Sequence, residues 1–342
     1  MEKSKRRNDE MKTKYRYRKI LLLLFGLLLL MTMIALLYGA VEVSLQDFLH
    51  LFDGKELSAE GRIIRYVRVP RVFGAIVAGM GLALSGALIQ TILNNPLAGP
   101  NIIGVNSGAG FAVVLCTAFF PKAYAAMPLA AFCGAFVTVF FVYYLGKKTG
   151  ASRLTIVLAG VAVNSLLNGA TDAIYTLCDF SVASGNSFKI GGLSGINTEV
   201  LKWAAAAIFI SFVIVLLLHN ELEVFSLGEE TAHSLGLNVS VYRFVFLMLA
   251  AVLSGAAVSF AGLLGFVGLI VPHIARILVG EECRHFLLAS AILGALFLLA
   301  CDFVGRTFFA PYELPVGIIL SFVGAPFFIW LLLKRRRGKS YA

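Results

Sequence analysis

Residues Arg68 to Gly110 read RVPRVFGAIVAGMGLALSGALIQTILNNPLAGPNIIGVNSGAG. Two arginines, Arg68 and Arg71, lead into an apolar run rich in glycine and alanine. A polar, proline-interrupted hinge follows, Asn94-Asn95-Pro96-Leu97-Ala98-Gly99-Pro100, and then a second, shorter, glycine-rich apolar run. In water this is a poor helix, because Gly and Pro cost roughly 1 and 3 kcal/mol in a helix interior. In a membrane bundle, small residues let backbones approach closely, and broken helices persist where they face protein or a water-filled cavity. The stretch therefore reads as the wall of a polar pathway through a bilayer.

The rest of the chain agrees with a membrane setting. Of 342 residues 59% are hydrophobic and only 14% charged, with a mean hydropathy of +0.87. Repeated long apolar runs define a polytopic all-α membrane protein, not a β-barrel with its short alternating segments. The net charge of +10 is concentrated at the two ends, Lys3 to Lys19 and Lys334 to Lys339. Basic clusters flanking apolar spans follow the positive-inside rule, so the charge points to lipid and not to nucleic acid. The five cysteines are odd in number, widely spaced and lack a CxxC pair, which gives neither a disulfide framework nor a zinc site. The run from Ile20 to Tyr38 is longer than a signal core and reads as a retained first helix.

Ten spans fit the hydropathy, near 19–39, 70–92, 100–120, 126–146, 153–177, 200–219, 241–263, 266–280, 285–308 and 314–334. An even number puts both basic tails, 1–18 and 335–342, on one side, which the charge rule makes cytoplasmic. Lys147, Lys148 and Arg153 then fall on that side too. Arg62, Arg65, Arg68 and Arg71 fall on the other and defy the rule, which suggests a specific role. Leu84-Ser85-Gly86-Ala87 recurs as Leu253-Ser254-Gly255-Ala256. Each copy leads into an interrupted, short apolar segment. Five spans per half make the halves inverted in the membrane, a pattern typical of transporters.

Two loops stand out. The outer one, Val41 to Val69, is long and mixed in charge; the inner one, residues 219–241, is acidic. There Ser226 is expected to cap a short helix with Glu229 and Glu230 in its first turn and Gly236 at its end. Such an element reads either as a solvated connector or as a docking site for a cytosolic protein.

No nucleotide site is legible: Gly146-Lys147-Lys148-Thr149 lacks the upstream glycine of a phosphate loop. No nucleophile elbow, HExxH or metal-ligand cluster is found, so no cofactor and no catalytic or metal residues are expected. His273, after Pro272, either faces a pathway or packs. Ionisable residues within spans are few, chiefly Asp172, Asp302 and Arg306. Asp302 and Arg306, one helical turn apart, are spaced to pair with each other. An ion-coupled secondary carrier is the alternative class, but it usually keeps acids at midspan for its coupling ion. A pathway without an evident coupling ion or ATPase points to energy supplied by another subunit.

The motifs resemble those of FecCD-type permeases, the membrane subunits of ABC importers for ferric siderophores, haem and vitamin B12. They include Arg68-Val69-Pro70-Arg71, Ser85-Gly86 with Gln90, Asn95-Pro96-Leu97-Ala98 with Pro100, Gly104-Val105 and Ser107-Gly108-Ala109. Further on stand Leu227-Gly228 with Ala232 and Leu235-Gly236, Gly265 to Leu269 with Pro272-His273 and Arg276, Asp302 with Arg306, Glu313 to Gly317, and Gly324-Ala325-Pro326. The resemblance implies a BtuC-like type II importer fold of ten helices, forming a single permease domain over 1–342 in a bacterial inner membrane. It implies a second permease subunit, identical or closely related. Two cytosolic ATP-binding subunits would dock on Leu227, Gly228, Glu229, Glu230, Ala232, Leu235 and Gly236. An extracytoplasmic substrate-binding protein would meet Arg68, Arg71 and Arg306. Asn95, Pro96, Pro100, Gly104, Pro272 and His273 become the expected pathway and hinge residues. One departure is that the segment Ser187 to Gly195 keeps its glycines but lacks the tryptophan common there.

Overall fold

A computed structural model describes residues 2–39, 58–120, 122–149, 153–178 and 181–338, without the side chains of 2–15, 181–184, 332 and 334–338. Its helices are α1 (Glu2–Leu37), α2 (Ala59–Ile92), α3 (Val105–Phe119), α4 (Met127–Lys148), α5 (Arg153–Leu177), α6 (Ser181–Ile190) and α7 (Thr198–Leu217). They continue as α8 (His219–Ser226), α9 (Glu229–Ser234), α10 (Val239–Ala261), α11 (Val267–Val279), α12 (Cys283–Thr307) and α13 (Val316–Gly338). Seven are long and apolar enough to cross a membrane. Three shorter apolar helices, Val105–Phe119, Val267–Val279 and Val316–Leu331, bring the total to the ten expected.

Helix α2 forms the core, and its small residues are the reason. Most of its apolar length is buried, whereas α1, α4, α5 and α7 are largely exposed and present side chains such as Leu22, Phe140, Leu166 and Trp203 to the lipid zone. Its three main neighbours, α12, α10 and α11, each meet it at a glycine. A Cβ on Gly79 would overlap the Gly294 carbonyl of α12. One on Gly81 would lie 2.9 Å from the Leu253 carbonyl oxygen of α10, and one on Gly86 would overlap Gly268 of α11. Close backbone approach of this kind is how membrane helices gain packing energy without a hydrophobic driving force between them.

The two repeated tetrapeptides meet at one carbonyl. Ser85 donates to the Ala250 carbonyl across the α2–α10 contact at 2.7 Å, and Ser254 donates to the same carbonyl at 2.6 Å. Helix α2 breaks at Asn94 (φ 47°) and resumes through a 3₁₀ turn, Pro100–Ile103, before α3. Helix α10 breaks at Gly262 (φ 71°) and resumes at α11. The amide of Gln90 ties the two breaks together by donating to the Leu269 carbonyl at 3.2 Å.

Several expected boundaries shift. Ala59–Arg68 is helical, not loop, because Ser58 accepts a hydrogen bond from the Gly61 N–H at 3.0 Å and Glu60 lies in the first turn; residues 41–57 lie outside the described residues. Both terminal tails are helical extensions where described, from Glu2 and to Gly338. Residues 181–190, which lie between two of the expected spans, form α6. In the inner loop Ser226 does not cap the short helix. It ends α8, with its hydroxyl bonded to the Glu223 carbonyl at 2.7 Å, and Gly228 (φ 109°) makes the turn into α9. Gly236 (φ 85°) ends α9 as expected.

Candidate translocation path and its two ends

Helices α5, α3 and α6 enclose a cleft of about 480 Å³. Helix α5 contributes Asn164, Asn168, Thr171, Asp172 and Tyr175, and the start of α3 contributes Asn106 and Ser107, with Asn101 from the 3₁₀ turn and Lys189 from α6. Asn164 closes the cleft's base: its amide donates to the Asn101 carbonyl at 2.9 Å, and Ser107 donates to its Oδ1 at 2.5 Å. Gly160 lets α5 approach this closely, since a Cβ there would overlap the Ile102 carbonyl. The cleft's other limit, Phe188, Lys189 and Leu263, belongs to a knot in which Leu263 N–H donates to Phe188 at 2.9 Å and Gly192 N–H to Ala261 at 2.9 Å. Gly191 (φ 72°) is required in that knot, because a Cβ would lie 2.6 Å from the Leu263 carbonyl oxygen.

The same end of the bundle holds the arginines. Arg71 Nε lies 3.1 and 3.0 Å from the two Asp302 oxygens, and its Nη1 lies 2.6 Å from Glu313. Arg68 donates to the Leu36 and Leu37 carbonyls at 2.9 and 2.7 Å, and Arg306 donates to the Ala35 carbonyl. Arg68 and Arg306 thus satisfy the last carbonyls of α1, which no intrahelical donor can reach. All three arginines are only 3–6% exposed. Arg62 and Arg65, earlier in α2, are exposed. Asp302 therefore pairs across the bundle with Arg71 and not along its own helix with Arg306.

The opposite end carries α8 and α9. Glu229 bridges two helices: its Oε1 lies 2.9 Å from Arg153 Nε, on the first residue of α5, and its Oε2 pairs with Arg243 of α10. Arg243 also lies over the Phe225 ring of α8, and Phe225 meets Phe246 edge-on. Ala232 is buried beneath α9, while Leu227 (60% exposed), Leu235 (63%) and Glu230 face outward. Lys147 and Lys148, in the last turn of α4, and Arg153, at the start of α5, belong to the helix ends on this side.

The sequence-predicted residues thus fall into separate places. Asn95 and Pro96 lie in the turn after α2, where Asn95 Oδ1 accepts from the Leu97 N–H at 3.0 Å. Pro100 and Gly104 bracket the 3₁₀ turn at the cleft's base. Pro272 is buried, and His273 packs edge-on against Phe327; neither borders the cleft. Sequence reading missed the cleft's lining. The signal was present in the polar residues 164, 168, 171, 172 and 175, which share one face of a helix.

Ten apolar helices in two inverted halves, with broken segments in matching places and a polar cleft among them, define a multi-pass membrane permease. The sequence matches the FecCD transport family over residues 27–334. It is 34% identical over 313 residues to the Fe(3+)-citrate import system permease protein YfmE of Bacillus subtilis (strain 168), covering 91% of this chain and 94% of that one. It is 37% identical over 319 residues to the ferric enterobactin transport system permease protein FepD of Escherichia coli (strain K12), covering 92% and 95%. Its fold superposes with a TM-score of 0.82, at 30% identity, on a metal-chelate type ABC transporter solved in an inward-facing conformation, covering 93% of this chain and 99% of that one. The chain belongs to the FecCD transport family of ABC-transporter permeases.

Proposed function

We propose that this chain is the membrane subunit of an importer that carries a ferric chelate into the cytoplasm, driven by ATP hydrolysis in a separate subunit. The observation that carries the reading is Glu229. It joins α9, at the surface, to the first residue of α5, whose far half lines the polar cleft. The iron-chelate permeases among its relatives support the cargo class.

The parts then take these roles. The α9 end is cytoplasmic, in keeping with its basic helix ends, and residues 219–241 form the coupling loop of a single permease domain in a bacterial inner membrane. Two ATP-binding subunits dock on exposed Leu227, Glu230 and Leu235, with Gly228, Glu229, Ala232 and Gly236 shaping the helix. A binding protein docks at the opposite end. Exposed Arg62 and Arg65 make first contact, with Arg68, Arg71 and Arg306 behind them. A second permease subunit stands across the path from the polar face of α5 and shields it from lipid, which would not tolerate that face. ATP-driven movement of α9 pulls α5 through Glu229 and Arg153, and the Asn164 contact with the 3₁₀ turn opens the cleft's base, so that Pro100 and Gly104 act as hinges.

The test is uptake of radiolabelled iron, presented as ferric citrate, a ferric trihydroxamate, a ferric tris-catecholate or haemin, in cells lacking this chain and in complemented cells. Loss of one of them on deletion, abolished equally by ATP depletion and spared by collapse of the proton gradient, is the expected result. Unchanged uptake of all of them, or dependence on the proton gradient alone, overturns the proposal.

A further inference from the structure

We propose that the polar face of α5, together with Asn106, is a selectivity surface for a hydrophilic, oxygen-rich ferric chelate of low net charge. The inference rests on the importer reading and specifies the cargo of the same cleft.

Asn164, Asn168, Thr171, Asp172 and Tyr175 stand at i, i+4, i+7, i+8 and i+11 on a helix that is largely exposed for a spanning segment. Amides and a carboxylate in a spanning helix are costly against hydrocarbon, so this face must meet water and what water carries. Two of these side chains already have structural work: Asn164 holds the 3₁₀ turn, and the Thr171 hydroxyl donates to the Leu167 carbonyl of its own helix at 2.7 Å. Asn168 is exposed towards the cleft from the middle of the stripe.

Asn106 supplies the independent observation. Its Oδ1 is buried at the cleft wall and has no hydrogen-bond partner among the described residues. A buried carbonyl oxygen left unpaired is unfavourable, so the site calls for a donor from outside the chain. A hydroxyl or amide N–H of a bound chelate, or a water that it displaces, meets that need.

Charge narrows the class further. Asp172 and Lys189 are the ionisable acid and base among the described lining residues apart from the Tyr175 phenol, so the lining is close to neutral. A trianionic chelate would face one cation and one anion, with no excess of positive charge to offset its desolvation. A porphyrin would press apolar faces against amides. A neutral chelate rich in amide and hydroxamate groups matches the side chains present. The cleft volume of about 480 Å³ lies within the range of about 300–1,000 Å³ common for small-molecule sites.

The experiment uses the whole importer in cells that have no other iron route. Probes are a neutral ferric trihydroxamate, a trianionic ferric tris-catecholate, ferric citrate and haemin. Wild type is expected to take up the trihydroxamate. Asn168→Leu and Asn106→Leu should each lower that uptake about tenfold, the scale of losing one good hydrogen bond. Asn168→Gln, which keeps the amide, should stay within about twofold. All variants should insert in equal amount and keep the ATP hydrolysis that loaded binding protein stimulates, which separates a cargo contact from a folding defect. Refusal of the trihydroxamate in favour of another probe overturns the selectivity, as does full uptake in both leucine variants. Failure of wild type to take up any of the four is a different result and counts against the importer reading itself.

Discussion

Breaking the Arg71–Asp302 pair should cost far more than removing it. Asp302 is 1% exposed and takes both of its close contacts from Arg71 Nε, at 3.1 and 3.0 Å. In Arg71→Met the Asp302 carboxylate remains in the bundle without its partner, a situation that destabilises by about 3–5 kcal/mol. Glu313, the second partner, is 40% exposed and can turn to water, so its loss adds only about 0–1 kcal/mol. The double variant Arg71→Met/Asp302→Leu removes both buried charges and fills the space with apolar groups of similar size. Replacements of that kind are neutral or even stabilising, so the double variant should recover most of the loss. Against a total stability of about 5–15 kcal/mol, the difference is large enough to read directly. Unfolding of the purified chain in one detergent, followed by helical circular dichroism, gives the comparison, with Glu313→Gln as the third arm. A double variant no more stable than Arg71→Met would refute the reasoning, because it would mean that the arginine stem and not the charge pairing holds this end together.

Other outcomes follow from the same geometry. Gly86→Val places side-chain atoms where the Gly268 backbone lies and should abolish accumulation of folded protein, measured as monodisperse material after extraction. Gly228→Val meets nothing within 4 Å but must adopt φ 109°, so a strain of about 1–3 kcal/mol falls on the turn alone; membrane insertion should persist while uptake per ATP hydrolysed declines. Glu229→Gln takes the charge from two pairs, one of them with buried Arg243, and should both lower the unfolding midpoint and cut uptake several-fold with ATP hydrolysis continuing. Arg68→Met frees the Leu36 and Leu37 carbonyls and should speed hydrogen exchange at Tyr38, whose N–H closes the last turn of α1 on Ile34, with α2 protection unchanged.

Much of the architecture is readable without coordinates because the bilayer imposes a one-dimensional rule. Each crossing needs a long apolar run, and the run from 153 to 177 coincides with α5 to the residue. Local chemistry also carried the break after α2, since Pro96 and Pro100 interrupt a helix. The same local reasoning failed at Ser226. A serine three residues before Glu229 looks like a cap, but α8 runs on through it and a glycine supplies the turn. It failed too at residues 59–68, where a mixed-charge segment reads as loop although a single capping serine starts the helix there.

The sequence by itself determined the number of crossings, the place of the break after α2, the small-residue faces and the basic character of the two tails. Each of these depends on transfer energy, propensity or charge summed over a short window of chain. Tertiary structure alone decided that Arg71 reaches Asp302, 231 residues away, and that Arg68 and Arg306 close the end of α1. It likewise decided that α2 lies at the centre of the bundle and that the amide face of α5 borders the cleft. Those outcomes depend on which glycine surfaces interlock, a property of pairs of distant helices that no window of sequence contains.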